Sequence, residues 1–316
     1  MKKDIVLKLD NVSQWYGDTK VLFDIDLEIA RGQFVALVGK SGCGKSTLLR
    51  AIQGTDIPKQ GICTLDGVQR TEADRDVGMM YQNYNLYKFL TVEQNAAFGL
   101  DLENTHIYER FFQLPRWRRL REEHLETARK WLARFGLGQS FKKYPKQLSG
   151  GMKQRTSFVR SLVMEPKVLL LDEPFGAQDE KTRAQLQRHL LELYQDNLNN
   201  IKKGLPPQWT VIIITHEIEE AFYVSDRIVG LSKNWKNSKG ETGEENGATV
   251  VFDMPSPVYH PDDDKDFGLF SDTKKDLHEY VLGKGDPVDM DEKEFITYWD
   301  TMEKENLPVI GSGVVI

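Results

Sequence analysis

Cysteine is scarce in this chain: only Cys43 and Cys63 occur among 316 residues. Two thiols make neither a disulfide framework nor a metal cluster, and they fit a reducing compartment. Long apolar runs are missing as well. VIIIT at 211–215 falls far short of the roughly 18 residues that a membrane-spanning helix needs. The opening stretch MKKDIVLKLD alternates polar and apolar residues and lacks the apolar core of a signal peptide, so a soluble protein is expected. Basic excess is absent too. With 42 Lys+Arg against 48 Asp+Glu the formal charge is −6, which excludes a strongly basic nucleic-acid footprint. The acid is concentrated late: residues 262–305 carry fifteen acidic and six basic side chains.

What is present reads first as strands. IVLKLDNVSQWY and VLFDIDLEI alternate, whereas FVALV (34–38), VLLL (168–171), VIIIT and IVGLS (228–232) are short continuous apolar runs. Continuous runs fit strands buried on both faces, and helical stretches between them predict a doubly wound parallel α/β sheet. Between Thr91 and Met164 the texture turns helical. REEHLETARKWLARFGL has apolar residues at helical spacing and a glycine as its stop signal. KNWKNSKGETGEENG (233–247) reads as a loop. Beyond Pro261, Asp291 and Glu294 form a capping-box pattern ahead of an apolar stripe, Phe295/Tyr298/Trp299/Met302. That helix can dock on its own domain, pair subunits or regulate.

The strand FVALV runs straight into GKSGCGKST (39–47), and LLRAIQG follows. Gly39, Gly44, Lys45 and Ser46 fit G-x-x-x-x-G-K-[ST] in its strand–loop–helix setting. The glycines let successive backbone N–H groups turn inward on an anion, and a helix N-terminus adds about half a positive charge. Lys45 supplies a full charge for terminal phosphates, and the Ser46 hydroxyl suits Mg²⁺. Cys43 reads as a small filler of the loop rather than as a redox sensor. In VLLLDEP two acids close a buried strand, and adjacent strand residues point opposite ways. One of Asp172 and Glu173 can therefore hold a metal while the other polarises a water. His216 closes VIIIT in the same manner, as a γ-phosphate contact or as an ordinary turn residue.

A second anion-type loop, LSGGMKQR (148–155), lies a hundred residues beyond the first, again ahead of a helical stretch. Taken in order, the phosphate loop, MMYQNYNL around Gln82, LSGG, LLLDEPFGAQD and ITHEIEEA around His216 resemble the ATP-binding subunit of ABC transporters, from about Ile5 to about Pro261. The resemblance implies an α/β, P-loop NTPase nucleotide-binding domain (1–260) with an inserted helical subdomain (about 91–164). A short acidic C-terminal helical extension (261–316) follows. It also implies that two such domains pair head to tail. Ser149, Gly150 and Gly151 of one would then close over the γ-phosphate held by the other.

The same resemblance implies a site for ATP and Mg²⁺. Gly39, Ser41, Gly42, Gly44, Lys45, Ser46 and Thr47 would cradle the nucleotide, and Tyr16 would stack on adenine; for neighbouring Trp15, core packing is the plain reading of the residue itself. Gln82 would touch the metal or the water and sense the membrane partner, Glu173 would be the general base, and His216 the γ-phosphate switch. Ser46, Gln82 and Asp172 would attend the metal, and Asp179 would carry communication across the dimer. One departure is Gln178, where the family usually has leucine. Finer resemblance to the nitrate/sulfonate/taurine importer branch implies separate permease subunits, a solute-binding protein and a place on the cytoplasmic face of the membrane. Nucleic acid is not an expected partner. The alternatives are an exporter subunit or a non-transport ABC ATPase. The cluster Arg110, Arg116, Arg118, Arg119 and Arg121, with Phe111, Phe112 and Trp117, is either a contact to the membrane partner or to anionic headgroups, or a solvated helix face.

Overall fold

The computed structural model describes residues 4–103, 114–176, 179–256, 259–262, 271–283, 286–291 and 298–304. The expected capping box (Glu294), Phe295, Gln178, Arg110, Phe111 and Phe112 lie outside the described residues. Its centre is a six-stranded sheet of β3 (Phe34–Val38), β6 (Val77–Met80), β7 (Val168–Asp172), β8 (Val211–Thr215), β9 (Arg227–Ser232) and β11 (Thr249–Pro255). The spatial order is β11-β9-β3-β8-β7-β6, with every pairing parallel except that of edge strand β11. Alternate residues feed two cores. Leu169, Leu171, Val211 and Ile213 join one, while Val168, Leu170, Ile212 and Ile214 join the other. This is why the runs are apolar without alternation.

The doubly wound expectation needs correction on one face. That face carries helix α1 (Lys45–Gln53) and an antiparallel sheet, in which β1 (Ile5–Tyr16) lies between β2 (Thr19–Ala30) and β4 (Gln60–Leu65), with β5 (Val68–Gln69) at the edge. The alternation of β1 and β2 signals one buried face, and that face covers α1. The opposite face is helical: α2 (Val92–Glu103), α3 (Leu114–Arg134), α4 (Gly150–Leu162) and α5 (Glu180–Lys202). Helix α3 begins well ahead of the stretch that periodicity marks. Apolar residues of α2, α3 and α4 lie in the same core as Leu169 and Ile213, so movement of these helices is felt at the sheet.

Asn197, fully buried on α5, closes the end of that layer. Its amide donates to Gly32 O (3.1 Å) and Trp209 O (2.6 Å), and its oxygen accepts from Gln208 N and Trp209 N, both at 2.9 Å. Truncation would strand several buried backbone groups at about 1–3 kcal/mol each. Asn197→Ala is therefore expected to lower unfolding stability by about 3 kcal/mol or more, read as a shift of the urea midpoint at unchanged slope.

Helix α6 (Ile218–Val224) and the C-terminal segments cover the β9/β11 end of the sheet. Helix α8 (Ser271–Asp276) and the wide turn Leu277–Val281 bury Leu277 and Val281 beside Ile228 and Phe252. A Cβ on Gly230 would lie 2.3 Å from the Val281 side chain, so glycine is needed there. Helix α9 (Tyr298–Lys304) docks on its own chain, with Tyr298, Trp299 and Met302 against Ala30 and Ile5. The Arg227 guanidinium sits 4.5 Å from the Tyr298 ring centroid and 5.7 Å from that of Trp299, and it pairs with both oxygens of Asp253. The described part of the apolar stripe, Tyr298, Trp299 and Met302, is covered by its own chain.

The segment 233–247, expected as a loop, contains β10 (Trp235–Lys236) and the single turn α7 (Gly243–Asn246). Trp235 is buried, donates to Gly247 O at 2.9 Å and stacks on Phe23. Its partner strand, β12 (Val288–Asp289), lies some fifty residues onward, which local composition cannot reveal.

Next to Arg227, buried Asp226 accepts the Phe34 N–H at 3.1 Å. Dehydration pushes its carboxyl up from 3.8 to about 8, against the opposing Phe34 hydrogen bond and Arg227 charge. A raised folded value means that the contribution to stability is complete below the unfolded pKa. It is lost as pH climbs toward 8. Asp226→Asn, always neutral, should gain on the wild type between pH 5 and 8, by up to about 1.4 kcal/mol per pH unit. Chemical denaturation across that range checks it, and a flat difference would contradict the assignment.

Candidate ATP site

Strand β3 ends at Val38, and the chain turns at once into the loop. A Cβ on Gly39 would lie 2.5 Å from Leu231 O and 2.7 Å from Cys43 Sγ, so only glycine passes beside β9. Gly44, at φ +113, sets the first turn of α1. The Lys45 ammonium folds back onto Gly39 O (2.6 Å) and Lys40 O (2.9 Å). The loop thus holds its own cation at the rim of a cleft of about 370 Å³, lined among others by Ser41, Lys45, Ser46, Gln82, Asp172 and Glu173. Gly42, Gly44 and Thr47 line it too. Cys43 is buried, and dehydration raises its thiol pKa despite nearby Lys45. The filler expectation agrees with that.

The two acids occupy different surroundings. Asp172 is half-dehydrated at the end of β7. Dehydration, then the adjacent Glu173 charge, raises its carboxyl pKa, while Lys45, Arg50 and the Ser46 hydroxyl oppose this. Glu173 adopts φ +47, which is costly for a residue with a side chain, and its N–H donates to Ile214 O at 3.0 Å. This bend turns its carboxylate into the cleft mouth. There Gln82 Nε2 donates to Oε2 at 2.8 Å, and His216 Nδ1 lies 3.6 Å from Oε1. The structure thereby gathers Lys45, Ser46, Gln82, Asp172, Glu173 and His216 at one sheet edge. An acid with an amide on one oxygen and an imidazole by the other can orient a water and accept its proton.

Other expected residues stand apart from that cleft. Tyr16 is exposed at the end of β1, its hydroxyl bonded to Asp56. Asp56 accepts the Gln14 amide at 2.7 Å, and Gln14 accepts Lys59 N–H at 3.0 Å. This chain fixes the ring's direction from the segment after α1. Trp15 is only half-buried, beside a surface hollow with Lys20 and Phe23, so the core-packing expectation does not hold for it.

Ser149 caps α4 by accepting Met152 N–H at 3.3 Å, and Gly150 is exposed. A Cβ on Gly151 would lie 2.5 Å from the Thr182 side chain, whose N–H and hydroxyl donate to Asp179 at 2.9 and 3.0 Å. Those Thr182 bonds hold the Asp179 carboxyl below its usual value. Ser149, Gly150, Gly151 and Asp179 thus form a unit outside their own chain's cleft.

Several contacts were not read from the sequence. Gln154 of α4 donates to Pro174 O, tying the second loop's helix to the turn after Glu173. Tyr84 and Asn85, at φ +54 and +45, bend the chain just past Gln82. That bend is pinned from α4: Ser157 and Arg160 donate to Tyr84 O at 2.9 and 3.0 Å, and Arg160 also to Asn85 O at 2.6 Å. Residues 157 and 160 share a helix face, the one signal that hinted at a common target.

The family follows from comparison with known proteins. The ABC transporter family model matches residues 22–176. The nitrate import ATP-binding protein NrtD of Synechocystis sp. is 40% identical over 216 residues, 68% of this chain and 72% of that protein. This chain belongs to the ABC transporter family. The ABC protein is also 40% identical over 245 residues to the bicarbonate transport ATP-binding protein CmpC of Synechococcus elongatus, 75% of this chain but 32% of CmpC. It therefore spans about a third of the length of CmpC. The dimeric post-hydrolysis structure of the ATP-binding cassette MJ0796, bound to ADP and Pi, matches with TM-score 0.60 and 25% identity. It covers 80% of this chain and 100% of the cassette.

Proposed function

We propose that this ABC protein hydrolyses ATP to power uptake of a small solute through separate permease subunits. The observation that carries the proposal is the cleft itself, where Glu173, Gln82 and His216 converge on the mouth of a phosphate loop. Glu173 serves as base for the attacking water, and the His216 imidazole meets the γ-phosphate. Lys45 leaves its loop carbonyls for the β/γ-phosphates. Tyr16, held by Asp56, stacks on the adenine. The Ser46 hydroxyl, Asp172 and the Gln82 side-chain oxygen make an all-oxygen donor set suited to a hard cation such as Mg²⁺. When bound, the ion neutralises phosphate charge.

Two copies, or this chain and a sibling, pair head to tail. The exposed Ser149–Gly150 end of α4 then meets the partner's nucleotide, which fits the position of that loop away from its own cleft. Residues 1–260 form the ATPase unit, with helices of about 91–164 as its subdomain, and 261–316 the extension. The permease contact is the outer face of α2 and α3. Phe89, just ahead of α2, and Leu102 on α2 are exposed at 73% and 58%, and Leu102 borders a hollow that Phe98 and, on α3, Trp117 and Arg121 also line. Arg116, Arg118 and Arg119 stand on exposed turns of the same helix, next to a membrane or permease surface. Among the described residues no helix is long and apolar enough to cross a membrane. The protein is proposed to sit at the cytoplasmic face through its partners, with a solute-binding protein completing the system.

The test is purification of the tagged protein from native membranes, with partners identified by mass spectrometry and phosphate release assayed. Multi-span subunits, and release lost in Lys45→Ala, are the expected result. Only soluble partners would favour a non-transport ATPase.

A further inference from the structure

A second and larger cavity, about 640 Å³, flanks the phosphate loop. It shares Ser41 and Gly42 with the ATP cleft, yet opens toward β9 and the C-terminal segment, whereas the cleft opens toward β8. Three lysines line it, Lys40, Lys233 and Lys236, against one acid, Glu244. Lys40 is engaged by the C-terminal segment, its ammonium 3.4 Å from Gly283 O. Lys236 reaches Asp289 only at 3.8 Å. Lys233 is half-buried and has no carboxylate partner among the described residues.

Among the described residues Lys233 has no paired carboxylate and two more cations line the same alcove, so the field inside it is positive and favours entry of an anion. We propose that this alcove is a second site, for a small oxyanion of the phosphate or sulfate type, separate from the ATP site. Lys233 is its central ligand. Lys40 and Lys236 come from the two walls, so a bound oxyanion ties the phosphate loop to β10 and through it to β12. The size admits more than a bare ion, so an organic phosphate also fits. Binding stands on this geometry alone. Any effect on ATP turnover, through Lys40 and the adjacent loop, rests on the function proposed above.

Phosphate also suits the phosphate loop, so the test begins from Lys45→Ala. Inorganic phosphate and, separately, sulfate are titrated into nucleotide-free Lys45→Ala protein, followed by calorimetry and tryptophan fluorescence, to which Trp235 in the alcove lining contributes. Saturable binding of about one ion per chain is expected, weakened at least tenfold by adding Lys233→Ala and regained with Lys233→Arg. No saturable binding, or binding indifferent to Lys233, would overturn the site. If phosphate fails to bind while Lys233→Ala weakens ATP-dependent pairing of Glu173→Gln chains, the alcove instead receives an acidic group of a partner, and the proposal falls. The ATP reading is checked separately, because Lys45→Ala must lose ATP affinity whatever happens in the alcove.

Discussion

Glu173→Gln keeps ATP affinity within about threefold and loses turnover by about 10²–10⁴-fold, the usual range for removing a general base. The geometry explains the separation. Glu173 stands at the cleft mouth, bonded to Gln82 and near His216, whereas Lys45 is held by hydrogen bonds to the loop carbonyls of Gly39 and Lys40. Glutamine can keep the φ +47 bend, since that bend is held by the backbone bond to Ile214 O. Its amide cannot take a proton from water. Bound ATP then persists, and so does the closed pair. Phosphate release measures the loss, and size-exclusion chromatography with Mg·ATP detects the trapped dimer. Normal turnover would remove Glu173 as base.

How far this arrangement was legible depended on where the partners of each residue lie. Gly39, Lys45 and Ser46 are contiguous, and a strand before and a helix after fix their geometry, so spacing alone describes the loop. Asp172, Glu173 and His216 could be placed at one sheet edge because each ends a buried run. The Gln82–Glu173 bond spans 91 positions, and only resemblance associated the two. The Tyr84–Asn85 bend was not legible at all. Neither residue is glycine, and the strain is held by Ser157 and Arg160 more than seventy positions away.

The largest misreading, the loop at 233–247, has the same cause. Trp235 pairs with Val288 across the acidic extension, so its order depends on chain that composition marks as surface. The antiparallel layer over α1 was visible as alternation, but nothing local said what its buried face covers. Hydrophobic period reports that a face is buried, not by what.

The head-to-tail pairing makes a sharper claim than loss of function: two inactive variants should restore each other. Ser149→Asp suits this test. Asp caps a helix as well as Ser, so the bond now made to Met152 N–H keeps an acceptor and the fold should hold. The new carboxylate, however, lies at the exposed end of α4, where the partner's γ-phosphate is proposed to sit. Like charges at that range in a desolvated interface cost several kcal/mol, so ATP-driven pairing and turnover should fall by at least about 100-fold. Lys45→Ala should fall comparably by losing the phosphate contact.

A homodimer of either variant has no intact composite site. A mixed dimer has one, formed by the intact phosphate loop of the Ser149→Asp chain and the intact signature loop of the Lys45→Ala chain. Equal mixing should therefore return about a quarter of the wild-type sites, by random pairing of two equivalent chains. Phosphate release from the mixture, compared with each variant alone at the same total protein, reads the result. Were both loops to serve the same chain's nucleotide, mixing would restore nothing, because every chain in the tube would still lack one of them.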